Sequence, residues 1–323
     1  MERVVRWLLG RRTLLFSRKF RLLFIHECVL AGIEELLYLV SEVTGMESDS
    51  QSGSKEIINH YASGYEADRL NTHGGQLECE RTRELLVRFL PPAPAVILDV
   101  GGGPGAHACW LARLRYTVHL TDITPLHVEM ALAASRQQPE APLAGAEVGD
   151  ARSLSWNAAF ADAVLLLGPL YHLTDREDRL RALTEAQRVL KPGGVLFAVG
   201  VSRFASTLDG LRRGFLKDAG FAAIVDGDLR DGQHRNRTGR PEYFMDTFFH
   251  HPDELRREVA EAGFVIKGLY GVEGPAWLAS DFDEWWKNPV YRERLLTIAR
   301  NLETEPTVLG VNAHIMIVAD KSS

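Results

Sequence analysis

Residues 96–105 read VILDVGGGPG and decide the fold class of this chain. A short apolar run with the length of a strand leads into a glycine-rich turn that opens a helical pattern. Glycine lets the backbone approach a ligand where a side chain would collide. The glycines alone are ambiguous, because Gly101, Gly103 and Ala106 also satisfy a looser dinucleotide-binding pattern. Asp99 favours another ligand, because its carboxylate can reach the amides of the turn or a cationic amino group but would repel a pyrophosphate.

Apolar runs and helical patterns alternate after this stretch. The runs have the length of strands, and proline, glycine or an acid bounds the segments between them. Such alternation predicts an α/β fold in which helices cover both faces of a parallel sheet. Strands are predicted at 95–100, 117–120, 146–148, 161–167, 195–199, 264–270 and 313–319, and helices at 105–115, 125–136, 175–190, 252–262 and 291–302.

Two further acids follow strands of this predicted sheet. Asp122 ends the second strand about 20 residues after the glycines, where an acid accepts hydrogen bonds from ribose hydroxyls. Asp150 follows the third strand, and its carboxylate can accept a hydrogen bond from an adenine amino group. The segment LKPGG at 190–194 is a turn into the fifth strand. These positions predict a nucleoside-containing ligand along one edge of the sheet.

Taken together, these segments resemble the class I S-adenosylmethionine-dependent methyltransferases over about residues 55–320. The resemblance implies a Rossmann-like, doubly wound sheet of seven strands, with strand seven, at 313–319, antiparallel. It implies S-adenosylmethionine as the cofactor, and within the superfamily the chain is similar to small-molecule enzymes near ubiquinone and menaquinone biosynthesis. The resemblance implies that Asp99, Gly101, Gly103 and Gly105 contact the methionine part of the cofactor. It implies that Asp122 and Ile123 contact the ribose and that Asp150 and Ala151 contact the adenine. Gly168 is a further implied cofactor contact.

The segment LGPLYHL at 167–173 lies at the carboxyl end of the fourth strand. Open α/β sheets bind ligands in the crevice at these strand ends. In methyltransferases the methyl acceptor lies here, so Tyr171 and His172 are predicted to meet it. His172 is the candidate general base, because histidine is partly unprotonated at neutral pH. The alternative is a loop histidine that only lines the pocket.

Further candidates lie before and after this core. Tyr61 belongs to a segment that folds over the cofactor in similar enzymes, and Arg81 could pair with the methionine carboxylate as a fork. A solvated helix charge is the alternative for Arg81. Residues 232–236 with the following aromatics are predicted to form a lid over an organic acceptor, or else a surface loop. The His250–His251 pair lacks convincing metal partners, and no metal is expected.

The chain divides by composition into five segments. Residues 1–45 alternate basic and apolar side chains, as an interfacial helix or a transit peptide would, but the favoured interpretations are one or two extra helices packed on the domain or a start at Met46. A helical cap is expected at 46–94 and the S-adenosylmethionine-binding core at 95–200. Residues 201–250 show no clear alternation and predict an insertion above the sheet for lid and substrate. Residues 251–323 complete the sheet.

Composition narrows the function. The 323 residues carry a formal net charge of −6, which disfavours nucleic acid as a partner. The three cysteines lack metal-ligand spacing and favour a cytoplasmic location, and no apolar run is long enough to predict a membrane span. The sequence thus predicts methyl transfer to a small organic acceptor by in-line displacement, and a homodimer is the oligomeric state considered. The alternatives are a nucleotide-dependent oxidoreductase, an RNA methyltransferase and a non-catalytic nucleotide-binding Rossmann protein.

Overall fold

The centre of the protein is a parallel sheet built from the five apolar runs. The computed structural model describes residues 73–322. Strand β1 lies between β2 and β4, β3 pairs with the outer side of β2, and β5 pairs with β4, all in parallel register. These strands are β1 (Val96–Val100), β2 (Thr117–Asp122), β3 (Gly145–Val148), β4 (Ala161–Leu166) and β5 (Leu190–Ser202).

Two late strands complete the central sheet, as the sequence predicts. Strand β9 (His314–Lys321) runs antiparallel to β5, and β8 (Phe264–Gly271) runs antiparallel to β9. The seven strands follow the order β3-β2-β1-β4-β5-β9-β8. The antiparallel last strand is therefore confirmed. The chain leaves β1 toward β2 and later returns on the other side to β4, so a ligand crevice opens at the carboxyl ends of these strands.

Helices cover both faces of the sheet. Adjacent residues in a strand point to opposite faces, and Ile97 and Leu98 of β1 accordingly belong to separate apolar clusters. Asp175 caps the fifth helix by accepting hydrogen bonds from the backbone N–H groups of Glu177 and Asp178. The helices of this part are α1 (His73–Phe89), α2 (Ala106–Arg113), α3 (Pro125–Arg136), α4 (Pro169–His172) and α5 (Arg176–Val189).

The insertion at 201–250 has more regular structure than its sequence indicates. It contains helices α6 (Ala205–Arg213) and α7 (Ala219–Asp231) and the short strands β6 (Gln233–His234) and β7 (Thr247–His250). Strand β7 extends the sheet by pairing in parallel with the end of β5, where Val201 faces Phe249. The sequence indicates none of these elements, because polar residues such as Ser206 and Asp228 occupy buried positions in the helices and interrupt the apolar spacing.

The C-terminal segment packs against the start of the described chain. It contains α8 (Pro252–Glu261), α9 (Phe282–Lys287) and α10 (Pro289–Leu302). Trp286 stacks on Phe282 and shares an apolar cluster with Leu77 of α1. No helix within residues 73–322 is long and apolar enough to cross a membrane. The predicted segment 1–45, most of the predicted cap at 46–94, and Tyr61 lie outside the described residues.

Candidate functional site

The glycine turn between β1 and α2 lies at the ligand edge of the sheet. Gly101 and Gly103 have φ values of +69° and +55°, which L side chains rarely adopt. A Cβ atom on Gly101 would stand 2.6 Å from the Pro169 side chain, so the turn packs directly against α4. Among residues 73–322, no atom lies within 4 Å of where a Cβ atom on Gly103 would be. Gly105 precedes α2 and lies against Ala131 of α3. Among the described residues, a Cβ atom would therefore meet protein at Gly101, Gly102 and Gly105 but not at Gly103.

Asp99 lies beneath this turn and is 1% exposed. Among the described residues its Oδ2 atom has no hydrogen-bond partner. Burial, together with the charge of Asp122, raises the pKa of this carboxyl group to about 7, although a hydrogen bond from the Ala108 backbone amide acts to lower it. Sequence reasoning placed Asp99 near the turn and the ligand, and the structure places the carboxyl group within the floor of the turn.

Asp122 lies at the end of β2, where the sequence predicts a ribose contact. Its Oδ2 accepts a hydrogen bond from the Gly103 N–H at 2.9 Å, and its Oδ1 accepts one from the Thr124 N–H at 2.8 Å. The Nδ1 atom of His127 lies 3.2 Å from Oδ1. Asp122 thus ties the glycine turn to the start of α3, and half-buried Ile123 follows it at the same edge.

Asp150 lies in the loop after β3, next to Ala151. Its carboxylate is held by Arg152, whose Nε and Nη2 atoms lie 3.0 and 2.6 Å from the two carboxylate oxygens. Burial by itself would raise the pKa of Asp150, but the hydrogen bonds and charge of Arg152 lower it below the ordinary value. Arg152 also reaches Asp178 of α5 at 2.6 Å. The adenine contact predicted for Asp150 would therefore have to share this carboxylate with Arg152.

Arg81 does not lie where the sequence analysis expects it. Its guanidinium is fully buried and forms ion pairs with Glu84 and Glu303, while its Nε donates to the Val272 carbonyl at 3.2 Å. Because each side of this planar group is engaged, Arg81 joins α1 to the end of β8 and the region after α10. The structure corrects the expected pairing with a cofactor carboxylate, because the charge is already balanced within the protein.

Helix α4 brings the predicted acceptor residues to the carboxyl end of β4. A Cβ atom on Gly168 would lie 3.4 Å from the Gly101 carbonyl oxygen, so α4 begins beside the glycine turn. The ring centroids of Tyr171 and His172 lie 4.6 Å apart, and Tyr171 is buried. The structure thus brings these predicted residues close to the turn, as the sequence indicates.

Three residues that sequence reasoning missed form a group beside α4. The ring of His314, the first residue of β9, is 6.3 Å from the Tyr171 ring, and its Nδ1 lies 2.6 Å from Oε1 of Glu273. Glu78 of α1 approaches the same nitrogen at 4.0 Å. Within residues 73–322 these three side chains have the spacing of a group that could hold a metal ion. No local sequence motif predicts this group, because its three residues lie on separate elements of the fold.

The insertion contributes a contact near the same edge. Gln233 of β6 donates a hydrogen bond from Nε2 to the Thr174 carbonyl at 3.0 Å, two residues after His172. Behind it, Asp228 accepts from Ser206 at 2.5 Å and lies 2.9 Å from Nδ1 of His234. These three side chains are buried and join α6, α7 and β6. Residues 232–236, predicted as a lid, therefore rest on a packed polar core.

Comparisons with known proteins agree with this architecture. Residues 98–198 match a family model described as a methyltransferase domain. The chain is 33% identical over 122 residues to the ubiquinone/menaquinone biosynthesis C-methyltransferase UbiE of Acidiphilium cryptum, covering 38% of this chain and 48% of that protein. It is 30% identical over 147 residues to the methyltransferase GfsG of Streptomyces halstedii, covering 45% and 48%. The chain thus spans about half the length of the curated relatives it matches.

A solved structure extends the likeness in fold beyond the matched domain. A structure of an S-adenosylmethionine-dependent methyltransferase from Methanosarcina mazei is similar with a TM-score of 0.51 at 20% identity. The likeness covers 74% of this chain and 97% of that chain. At this level of identity the comparison concerns the fold, which agrees with the seven-stranded order described above.

Proposed function

Since this chain carries a class I S-adenosylmethionine-dependent methyltransferase domain, we propose that it transfers a methyl group to a small organic acceptor by in-line displacement. The cofactor of this class is S-adenosylmethionine, whose sulfonium supplies an activated methyl group when it is bound. The observation that carries the proposal lies at Gly103, at the carboxyl edge of the sheet: no atom of residues 73–322 comes within 4 Å of the position that a Cβ atom would take there, and its N–H donates to Asp122.

The residues around the glycine turn fit this cofactor. Asp99 leaves one buried carboxylate oxygen without a partner among the described residues, and such a group is costly unless a donor or cation meets it. Asp122 and Ile123 follow β2, and Asp150 and Ala151 follow β3, in the order needed by a ligand that runs along the strand ends. In this proposal Gly101, Gly103 and Gly105 border the methionine part, Asp122 the ribose, and Asp150 the adenine.

The acceptor is proposed to lie over α4. Tyr171 and His172 would border it, Gly168 would lie between it and the cofactor, and the insertion would cover it through the contact of Gln233 with Thr174. Because the methyl group is already activated, the protein contributes positioning, exclusion of water and the removal of a proton. His172 remains the base that the sequence predicts.

The charges of the insertion favour a small acceptor over RNA. Its arginines face carboxylates of the insertion or of α8: Arg212 and Arg213 face Asp209, Arg235 and Arg237 face Asp246, Arg240 faces Asp218, and Arg203 faces Glu254 of α8. A nucleic-acid surface would need these cations for phosphates. A cytoplasmic location and a homodimer remain predictions from the sequence.

Calorimetric titration of the full chain tests the cofactor, with S-adenosylmethionine, S-adenosylhomocysteine and NADH in parallel. Micromolar binding of the first two alone is expected. Binding of NADH alone, or of none of the three, would contradict the proposal. Release of S-adenosylhomocysteine is then measured with a panel of phenols, amines and short RNA. Turnover with the small molecules and not with RNA is expected, whereas binding without turnover on any acceptor would leave a non-catalytic binding protein.

A further inference from the structure

The loop after β3 holds a carboxylate and a guanidinium in direct contact. Arg152 donates to Oδ1 of Asp150 from its backbone N–H at 2.8 Å and from Nε at 3.0 Å, and to Oδ2 from Nη2 at 2.6 Å. The side chain of Arg152 is 16% exposed and that of Asp150 is 33% exposed. The guanidinium is therefore the more buried partner, and the carboxylate is the partner that a ligand reaches more easily.

Helix α5 fixes this pair. Nη1 of Arg152 lies 2.6 Å from Oδ2 of Asp178, a buried residue of α5. Two residues farther along the loop, the Leu154 N–H donates to Glu185 of the same helix at 2.8 Å. The loop is thus attached to α5 at two points. The direction of the Asp150 carboxylate is set by a guanidinium that is itself held in place.

The Asp150 carboxylate still has room for one more hydrogen bond. A carboxylate offers about four acceptor sites. Within residues 73–322, the donors that meet Asp150 are the N–H, Nε and Nη2 groups of Arg152. One acceptor site therefore remains, on the residue of the pair that is more exposed.

The ionisation of this carboxylate decides which kind of group can use that site. Burial alone would raise the pKa of Asp150, but the hydrogen bonds and charge of Arg152 lower it below its ordinary value. An ionised carboxylate only accepts hydrogen bonds. The 6-amino group of adenine is a donor, whereas a 6-oxo group in the same place is an acceptor. A carboxylate that is kept ionised and fixed in direction can thus distinguish the two kinds of purine.

We propose that Arg152 is a positioning residue for nucleobase recognition, which holds Asp150 so that the cofactor site takes a 6-amino purine and rejects a 6-oxo purine. This rests on the function proposed above, in which Asp150 borders the adenine. Arg152 acts on the base through the carboxylate. Asp178 acts one step farther away, because it anchors the guanidinium to α5.

The test measures discrimination between two nucleobases by calorimetry with the full chain. The ligands are S-adenosylhomocysteine and S-inosylhomocysteine, which carries an oxo group in place of the amino group. The unaltered chain should bind S-adenosylhomocysteine about 10-fold more tightly than the inosine analogue. Arg152→Met keeps a long side chain but removes the side-chain donors. Its affinity for S-adenosylhomocysteine should fall about 10-fold, while its affinity for S-inosylhomocysteine stays nearly constant.

Matched variants separate positioning from a structural role. Arg181→Met is the control, because Arg181 is 59% exposed and faces the other oxygen of Asp178 at 3.2 Å; its discrimination should equal that of the unaltered chain. Arg152→Lys keeps a cation beside Asp150 but cannot form the fork, so part of the discrimination should remain. Asp178→Asn weakens only the anchor and should lower the discrimination by a smaller factor. It also provides the measurement if Arg152→Met does not fold.

The outcomes that contradict the proposal differ from those that contradict the function. Equal losses for both ligands in Arg152→Met would show that the residue only supports the loop. Full discrimination in Arg152→Met, or in Asp178→Asn if the first variant does not fold, would also overturn the proposal. An unaltered chain that binds both ligands equally would refute the nucleobase contact of Asp150 but not the cofactor. If the chain binds neither S-adenosylmethionine nor S-adenosylhomocysteine, the function proposed above fails.

Discussion

The glycine-turn half of the sheet and the insertion at 201–250 obtain their structure in different ways. In the first, β1, the turn and α2 follow one another in sequence, and each local pattern agrees with its neighbours. In the second, α6, α7 and β6 are joined by buried contacts among Ser206, Asp228 and His234. The comparison indicates that the cofactor half is specified locally and the insertion by tertiary contacts that pattern reasoning does not detect.

The largest fall in the free energy of unfolding is expected from replacing Asp228, which lies at the centre of the buried polar cluster of the insertion. Asp228→Ala leaves Ser206 and His234 buried without their carboxylate, and breaking a buried pair costs about 3–5 kcal/mol. The free energy of unfolding in denaturant should fall by that amount, and hydrogen exchange should rise over residues 205–250. The affinity for S-adenosylhomocysteine should stay unchanged if the two regions are independent.

Asp226→Ala is the matched control, because Asp226 is an exposed residue of the same helix. Its free energy of unfolding should change little. If Asp228→Ala weakened cofactor binding as much as it lowered stability, the two regions would form one cooperative unit and the comparison would fail.

A change of similar size in the free energy of unfolding is expected from the titration of Asp99, which lies beneath the glycine turn. Burial raises the pKa of Asp99 to about 7, from an ordinary value near 3.9. The folded chain therefore binds this proton more tightly, and the stability that this group contributes is complete below about pH 4 and lost as the pH rises toward 7. The loss is up to about 4 kcal/mol, since one pKa unit corresponds to about 1.4 kcal/mol.

Asp99→Asn removes this titration. The melting temperature of the unaltered chain should fall between pH 4.5 and 8 relative to that of the variant, when both are measured by scanning calorimetry without ligand. Asp226→Asn, which also removes one negative charge, should follow the unaltered chain. Parallel curves for Asp99→Asn and the unaltered chain would contradict the buried, protonated carboxyl group.

A smaller effect is expected at the predicted ribose contact. Asp122→Ala removes the acceptor for the Gly103 and Thr124 amides and, in the proposed function, for the ribose hydroxyls. The affinity for S-adenosylhomocysteine should fall by about 1–3 kcal/mol in calorimetry. Asp122→Asn, which keeps one acceptor oxygen, should lose less. Unchanged affinity in both variants would remove Asp122 from the cofactor site.

The sequence predicts the sheet well because its strands and turns are local features. The predicted helix at 125–136 agrees with the observed Pro125–Arg136, since Pro125 occupies the first turn and the flanking strands are apolar. The observed strand His314–Lys321 pairs antiparallel with β5, as the family resemblance implies. In these segments each residue type serves the local conformation and the packing at once.

The site is predicted less completely because several of its partners lie far apart in the sequence. Arg81 looks like a candidate for an anionic ligand until Glu303, 222 residues later, is seen to pair with it. His314 and Glu273 are separated by 41 residues and belong to no motif. The helices of the insertion were missed for a related reason, since buried Ser206 and Asp228 interrupt the apolar spacing that marks a helix.

The smallest change in stability should come from Gly103→Ala, and it tests the local half most directly. Alanine at a φ of +55° costs about 1 kcal/mol, and the added methyl group meets no atom of residues 73–322 within 4 Å. The folded chain should therefore persist, while the affinity for S-adenosylhomocysteine falls, because the methyl group occupies the space proposed for the ligand. Gly101→Ala is the contrasting variant: it has the same backbone strain, but its methyl group collides with Pro169, so its melting temperature should drop further. Full affinity in Gly103→Ala would mean that the open space over the turn is not where the cofactor binds, and the local pattern that decides the fold would then not decide the site.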